Sequence, residues 1–175
     1  MGKDTLIDLK GRRSIRAYKP EQITGEELDA VLEAGSYAAT GMDAQSAVMV
    51  AVQDRTLISR IEKLNAAVLG DPGETPFYGA PTVVNVLVDR TQVTPLQDGA
   101  LVMGNLMNAA HALGLGSCWI NRAKEVFESA EGKALLKEWG LDPAKYTGVA
   151  HCILGYAAEQ PAARPRKKGY ILKVQ

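Results

Sequence analysis

The stretch "DGALVMGNLMNAAHAL", residues 98–113, is apolar or small at nearly every position around a helical wheel. A surface helix carries a single apolar stripe, so this segment predicts a helix buried on most of its sides, with the rest of the fold laid against it. Two runs, "AVMVAV" (47–52) and "TVVNVLV" (82–88), are short and valine-rich and read as buried strands. Residues 117–121 ("SCWIN") and 147–156 ("TGVAHCILGY") read as two more. Helices are expected over residues 5–10, over 24–36, from an Asp54 cap through Leu64, and once or twice within 124–139. Thr24 precedes Glu27 by three residues, the capping-box spacing, with Ile23 and Leu28 set for a hydrophobic staple. No β–α–β rhythm repeats, so the expectation is α+β or a three-layer sandwich with a mixed sheet.

The chain's 175 residues suit one domain, 1–175, able to bury a real core. Twenty basic residues balance 20 acidic ones, leaving no global field to draw the protein onto nucleic acid or an anionic membrane. Two cysteines without a CxxC pair suit a reducing compartment. The N-terminus lacks a signal-peptide core and no apolar run spans a bilayer, so a cytoplasmic protein is expected. "GDPGETPFYGAP" (70–81) is turn chemistry and reads as a mobile loop. The tail "QPAARPRKKGYILKVQ" is basic, and apolar enough at its end to be more than disorder.

Phosphate loops, dinucleotide fingerprints, HExxH and GxSxG are all missing from the sequence. His111 and His151 fall in apolar segments and read as hydrogen-bonded core histidines. An enzyme of this composition takes its reactivity from a bound cofactor. The stretch "GRRSIRAY" (11–18) holds three guanidiniums in five residues. On an extended backbone Arg12, Ser14 and Arg16 share one side and Arg13 and Ile15 the other. That places two guanidiniums and a hydroxyl together, donors suited to phosphate and carbonyl oxygens. The alternative is a solvated surface paired with Glu21, Glu26 and Glu27. Arg164, Arg166, Lys167 and Lys168 form a second basic cluster, "GMDAQS" (41–46) a polar loop ahead of a strand, and Gly114 or Gly116 a helix C-cap.

In this order, "RRSIRAYKPEQI", "EAGSYAATGMDAQS", "YGAPTVVNV", "DGALVMGNLMNAAHALGLGSCWIN" and "GYAAEQPAARPRKK" resemble successive segments of the nitroreductase family, short members above all, from about residue 9 to 168. The resemblance implies an α+β fold, a three-layer α/β/α sandwich with a mixed, mainly antiparallel sheet, in an intertwined homodimer with two FMN sites at the subunit interface. It implies two-electron transfer from NAD(P)H through FMN to a nitroaromatic, quinone or similar acceptor in ping-pong fashion. A homodimer that holds the flavin as a redox sensor, without turnover, is the alternative. Arg12, Arg13, Ser14 and Arg16 match the motif that grips the FMN phosphate, ribityl chain and pyrimidine edge, and Arg164 and Arg166 its C-terminal phosphate-binding pair. Thr40, Gly41, Met42, Asp43 and Gln45 match the loop that covers the flavin from the partner subunit. Trp119, Ile120 and Asn121 fall beside the reactive N5 edge, and Asn65 on a residue facing the flavin. Asp43 stands where the family usually has asparagine, and Ala47 where tryptophan is common.

Overall fold

The computed structural model describes residues 4–174. Its elements run α1 (Asp4–Gly11), α2 (Gly25–Ser36), β1 (Ala47–Val52), α3 (Arg55–Leu69), β2 (Thr82–Asp89), α4 (Pro95–Ala112), β3 (Gly116–Ile120), α5 (Ala123–Glu128), α6 (Ala130–Glu138) and β4 (Tyr146–Gly155). Local chemistry sets several starts. Thr24 accepts from Glu27 N–H while the Glu27 carboxylate accepts from Thr24 N–H, closing the capping box on α2. Asp54 accepts from Leu57 N–H at the head of α3.

The four strands form one sheet in the order β1-β2-β4-β3, antiparallel throughout. The mixed character expected of it shrinks to one isolated parallel bridge, Ser14 to Ser117, outside the strands. Period-2 alternation divides the core into two layers. Val83, Leu87, Cys118, Ile120 and Ile153 face one side, packed with α3, α5 and α6. Val84, Val86, Ala150, Cys152 and Leu154 face the other, packed with α2 and α4. This is the α/β/α sandwich, and it puts the two free cysteines on opposite faces of the sheet.

Two expectations need correction, those for α4 and for His111. Within one chain α4 buries a single face (Asp98, Gly99, Val102, Met103, Leu106, Ala110) and leaves Leu96 and Leu101 exposed. His111 accordingly lies half-buried on the rim of a cleft and not in the core. The turn-rich stretch after α3 is exposed from Gly70 to Thr75 and is anchored at Phe77, which is fully buried and whose N–H donates to Glu62 Oε1 at 2.7 Å. Among the described residues beyond Gly155 there is no helix or strand, and Tyr170, Ile171, Leu172 and Val174 are exposed.

Candidate functional site

From Arg12 the chain runs extended along the free edge of β3. Ile15 N–H donates to Ser117 O at 3.0 Å, and Tyr18 bridges to Ala157. Alternation then sorts the side chains as the sequence suggests. Arg13 and the buried Ile15 line a cleft of about 710 Å³ with Lys19, His111 and Glu159. Arg12, Ser14 and Arg16 do not line that cleft, and all three act on Cys118. Burial pushes the Cys118 thiol pKa up, and Arg16, a hydrogen bond from Ser14 and then Arg12 hold it back. Arg12 Nη1 is buried with no hydrogen-bond partner among the described residues. Arg13 is committed elsewhere: its Nη1 donates to Lys10 O, Gly11 O and Arg12 O at 2.9, 3.0 and 2.7 Å, closing the C-terminus of α1. Glu159 accepts from the backbone N–H of Arg16.

At the far end of β3, Ile120 is buried and Trp119 Nε1 donates to Asn121 Oδ1 at 2.6 Å. Asn65, fully buried on α3, spends both ends of its amide on this turn. Its Nδ2 donates to Asn121 O at 2.7 Å and its Oδ1 accepts from Arg122 Nε at 3.0 Å. Arg122 takes a left-handed conformation, φ 76°, uncommon outside glycine. Sequence reading missed Arg122; its only signal was its place directly after Asn121. Behind the turn, His151 Nδ1 lies 2.7 Å from Asn85 Oδ1, and burial, then Arg122, hold the His151 pKa down to about 3.

The loop from Thr40 to Ser46 is built by different means. Gly41–Asp43 form a 3-10 turn, and Met42, Asp43 and Gln45 all have positive φ, at 53°, 54° and 45°. Asp98, buried near the start of α4, holds the loop at both ends. Its Oδ1 accepts from Gly41 N–H at 3.0 Å and from the Thr94 hydroxyl at 2.9 Å, and its Oδ2 from the Ser46 hydroxyl at 2.7 Å. Burial pushes the Asp98 pKa up, but the bonds from Gly41, Ser46 and Thr94 win and hold it below the ordinary carboxylate range. A Cβ on Gly41 would collide with the Thr94 hydroxyl unless that side chain moved. Thr40 Oγ1 accepts from Gln45 N–H at 3.1 Å, and Met42 is 88% exposed.

These halves are not brought together in one chain. The loop sits at the N-terminal end of α4 and the arginine segment beside its C-terminal end, and an 18-residue helix is about 27 Å long. Arg164 and Arg166 are exposed on the tail and make no hydrogen bond or ion pair among the described residues, while the tail's start, from Ala157 to Pro161, forms a wall of the cleft beside Arg13.

A profile of the nitroreductase family matches residues 9–156. The fold overlays on a crystal structure of a nitroreductase with bound FMN from Bacteroides fragilis with a TM-score of 0.89, at 29% identity over 99% of this chain and 100% of the other. A second nitroreductase with bound FMN, from Desulfitobacterium hafniense, also gives 0.89, at 27% identity over 100% of both chains. Among curated relatives, an FMN reductase (NAD(P)H) of Bacillus subtilis is 25% identical over 183 residues, covering 93% of this chain and 70% of its own. With its antiparallel sheet between two helical layers and its arginine segment along β3, the chain belongs to the nitroreductase family.

Proposed function

We propose that this protein is an FMN-dependent NAD(P)H oxidoreductase that works as a homodimer with two flavin sites at the subunit interface. The observation that carries the reading is Arg12 Nη1, buried with no partner among the described residues, on an extended segment that also holds Ser14 and Arg16. A buried donor without an acceptor is costly to leave unmade, so its retention points to an oxygen-rich anionic ligand. The residues present fit FMN: cations and a hydroxyl on extended backbone, opposite a turn whose backbone Asn65 fixes.

FMN, when bound, supplies the two-electron chemistry, taking a hydride from NAD(P)H and passing two electrons to a nitroaromatic, quinone or similar acceptor. The chain's task is to hold, orient and bias. Arg12 and Ser14 anchor the phosphate and ribityl chain, with Arg164 and Arg166 of the tail closing on the phosphate. Arg13 shapes the flank by closing α1. Arg16 sets a fixed cation beside the pyrimidine edge and favours the more anionic, reduced form. Trp119, Ile120 and Asn121 line the reactive edge, and Asn65 sets their backbone. Thr40, Gly41, Met42, Asp43 and Gln45 serve the other subunit's flavin, which accounts for the distance between loop and arginines within one chain.

An absorbance spectrum of the purified protein tests the reading. An oxidised flavin spectrum that bleaches on anaerobic addition of NADH or NADPH, and returns with a quinone, is expected. A spectrum that persists under saturating reductant overturns the enzyme and leaves the redox-sensing dimer. A monomer in light scattering, with full FMN occupancy, overturns the shared site.

A further inference from the structure

We propose that Asp98 is a positioning residue that locks the loop of residues 40–46 in the shape required by the flavin site of the opposite subunit. The inference rests on the homodimeric reading above. Its warrant is a cost with no return inside one chain. Three non-glycine residues of the loop sit in the left-handed region, an arrangement that persists only where the surroundings over-determine it. Asp98 is what over-determines it. Its two oxygens take three donors, from Gly41, Thr94 and Ser46, so one carboxylate ties the entry and exit of the loop to the first turn of α4. Asp98 is 2% exposed and forms no ion pair among the described residues, so the burial of its carboxylate is offset by those neutral donors.

Nothing in the same chain uses the result. Met42 projects from the loop at 88% exposure, and the chain's own arginine segment lies at the other end of α4. The surface beside the loop continues apolar through Val93, Leu96 and Leu101, at 77, 56 and 51% exposure, a face that a second copy of the chain would cover. A loop held rigid at the margin of such a face presents itself to the neighbour. Asp98 therefore acts on a flavin that its own subunit does not hold.

The test is subunit complementation. Asp98→Ala chains are co-expressed with Arg12→Ala chains under different tags, and the heterodimer is isolated by both tags and titrated with FMN. If Asp98 acts across the interface, one site of the heterodimer is intact and the other doubly damaged. The expected result is one FMN per dimer at wild-type affinity, with each variant homodimer at least about tenfold weaker. No site of wild-type affinity in the heterodimer, or an Asp98→Ala homodimer that binds like wild type, overturns the proposal. Should Asp98→Ala fail to fold or dimerise, Thr94→Val and Ser46→Ala each remove one donor to the carboxylate. Where either weakens FMN binding in its own homodimer, its heterodimer with Arg12→Ala chains keeps one site of wild-type affinity if the lock works in trans and none if it works in cis, and no weakening in either homodimer overturns the proposal. A wild-type protein that takes up no FMN refutes the flavin reading itself, an outcome separate from these.

Discussion

The arginine segment at residues 12–16 and the loop at residues 40–46 lie at opposite ends of α4 and are held by different means. The first is ordinary extended backbone pinned to the edge of β3, with no positive φ from Arg12 to Tyr18. Its cost lies in one side chain, a guanidinium nitrogen buried without a partner. The second has its side-chain polar groups well partnered and its cost in the backbone, three left-handed residues held to a buried carboxylate. Chemical selectivity resides where the side chains are left unsatisfied, and shape where the backbone is forced. Changes to the first should therefore move ligand affinity, and changes to the second stability and presentation.

The largest expected effect tests the first half of that contrast. Arg12→Ala and Arg16→Ala should each weaken FMN binding about a hundredfold, roughly the 3 kcal/mol of a lost charge-assisted contact. Arg60→Ala, whose exposed side chain pairs with Glu131 and Glu138 on the surface, should leave affinity unchanged. Arg12→Met should lose FMN equally yet leave the apo-protein no less stable, because it removes the unpaired buried donor. Titration by flavin fluorescence and thermal melts of apo-protein read both. A large fall in apo stability for Arg12→Met would show that the residue serves the fold.

The second half turns on Gly41. Gly41→Ala forces a Cβ into the Thr94 hydroxyl and should cost about 1–3 kcal/mol of stability. Adding Thr94→Ala removes the obstructing atoms and should recover part of that loss, a favourable coupling in a double-mutant cycle. Strict additivity in urea unfolding would show that the loop does not pack as described.

The contrast also explains what could be read from the sequence. Extended backbone announces its facing by period 2, so the partition of Arg12, Ser14 and Arg16 from Arg13 and Ile15 was legible residue by residue. The capping box at Thr24 and the cap at Asp54 were legible because their partners lie three residues away. Asp98 was not, because its partners Gly41 and Ser46 are 57 and 52 positions distant, and an acid in an apolar helix looks like its polar fringe. The open face of α4 was misread for a related reason. Apolar residues show that a face is covered, but not whether the cover comes from the same chain. The left-handed Arg122, and the commitment of Asn65 to it, depend on a meeting of α3 with the turn after β3 that no local pattern encodes.

Acid separates the two regions next. His151, behind the turn that Arg122 and Asn65 hold, has its pKa lowered from 6.5 to about 3 by burial and then by Arg122. The unfolded chain takes up a proton near pH 6.5 that the folded chain refuses until about pH 3. Stability should therefore fall as pH drops through that window, by up to about 1.4 kcal/mol per pH unit. Asp98 has a lowered carboxylate pKa, so its contribution is present above the unfolded value of 3.8 and is lost only below it. Between pH 6 and 4 stability therefore falls through His151 while the contribution of Asp98 stays in place. His151→Gln should flatten the slope of stability against pH in that range, and an unchanged slope would assign it to other groups.

The smallest effect calibrates the rest. Thr24 caps α2, its side chain accepting from Glu27 N–H at 3.2 Å while Glu27 Oε2 accepts from Thr24 N–H at 2.8 Å and from the Tyr156 hydroxyl at 2.8 Å. Thr24→Ala loses one half of the box and keeps the Tyr156 contact, so about 1 kcal/mol is expected. In a chain of this size that shifts the melting temperature by about 2–4 °C. Thr24 touches neither Asp98 nor the segment from Arg12 to Arg16, so FMN affinity should stay at the wild-type value. A matching loss of affinity would mean that general loosening of the fold weakens flavin binding. The falls expected for Arg12→Ala and Asp98→Ala would then have to be measured against that background before either region is credited with a role of its own.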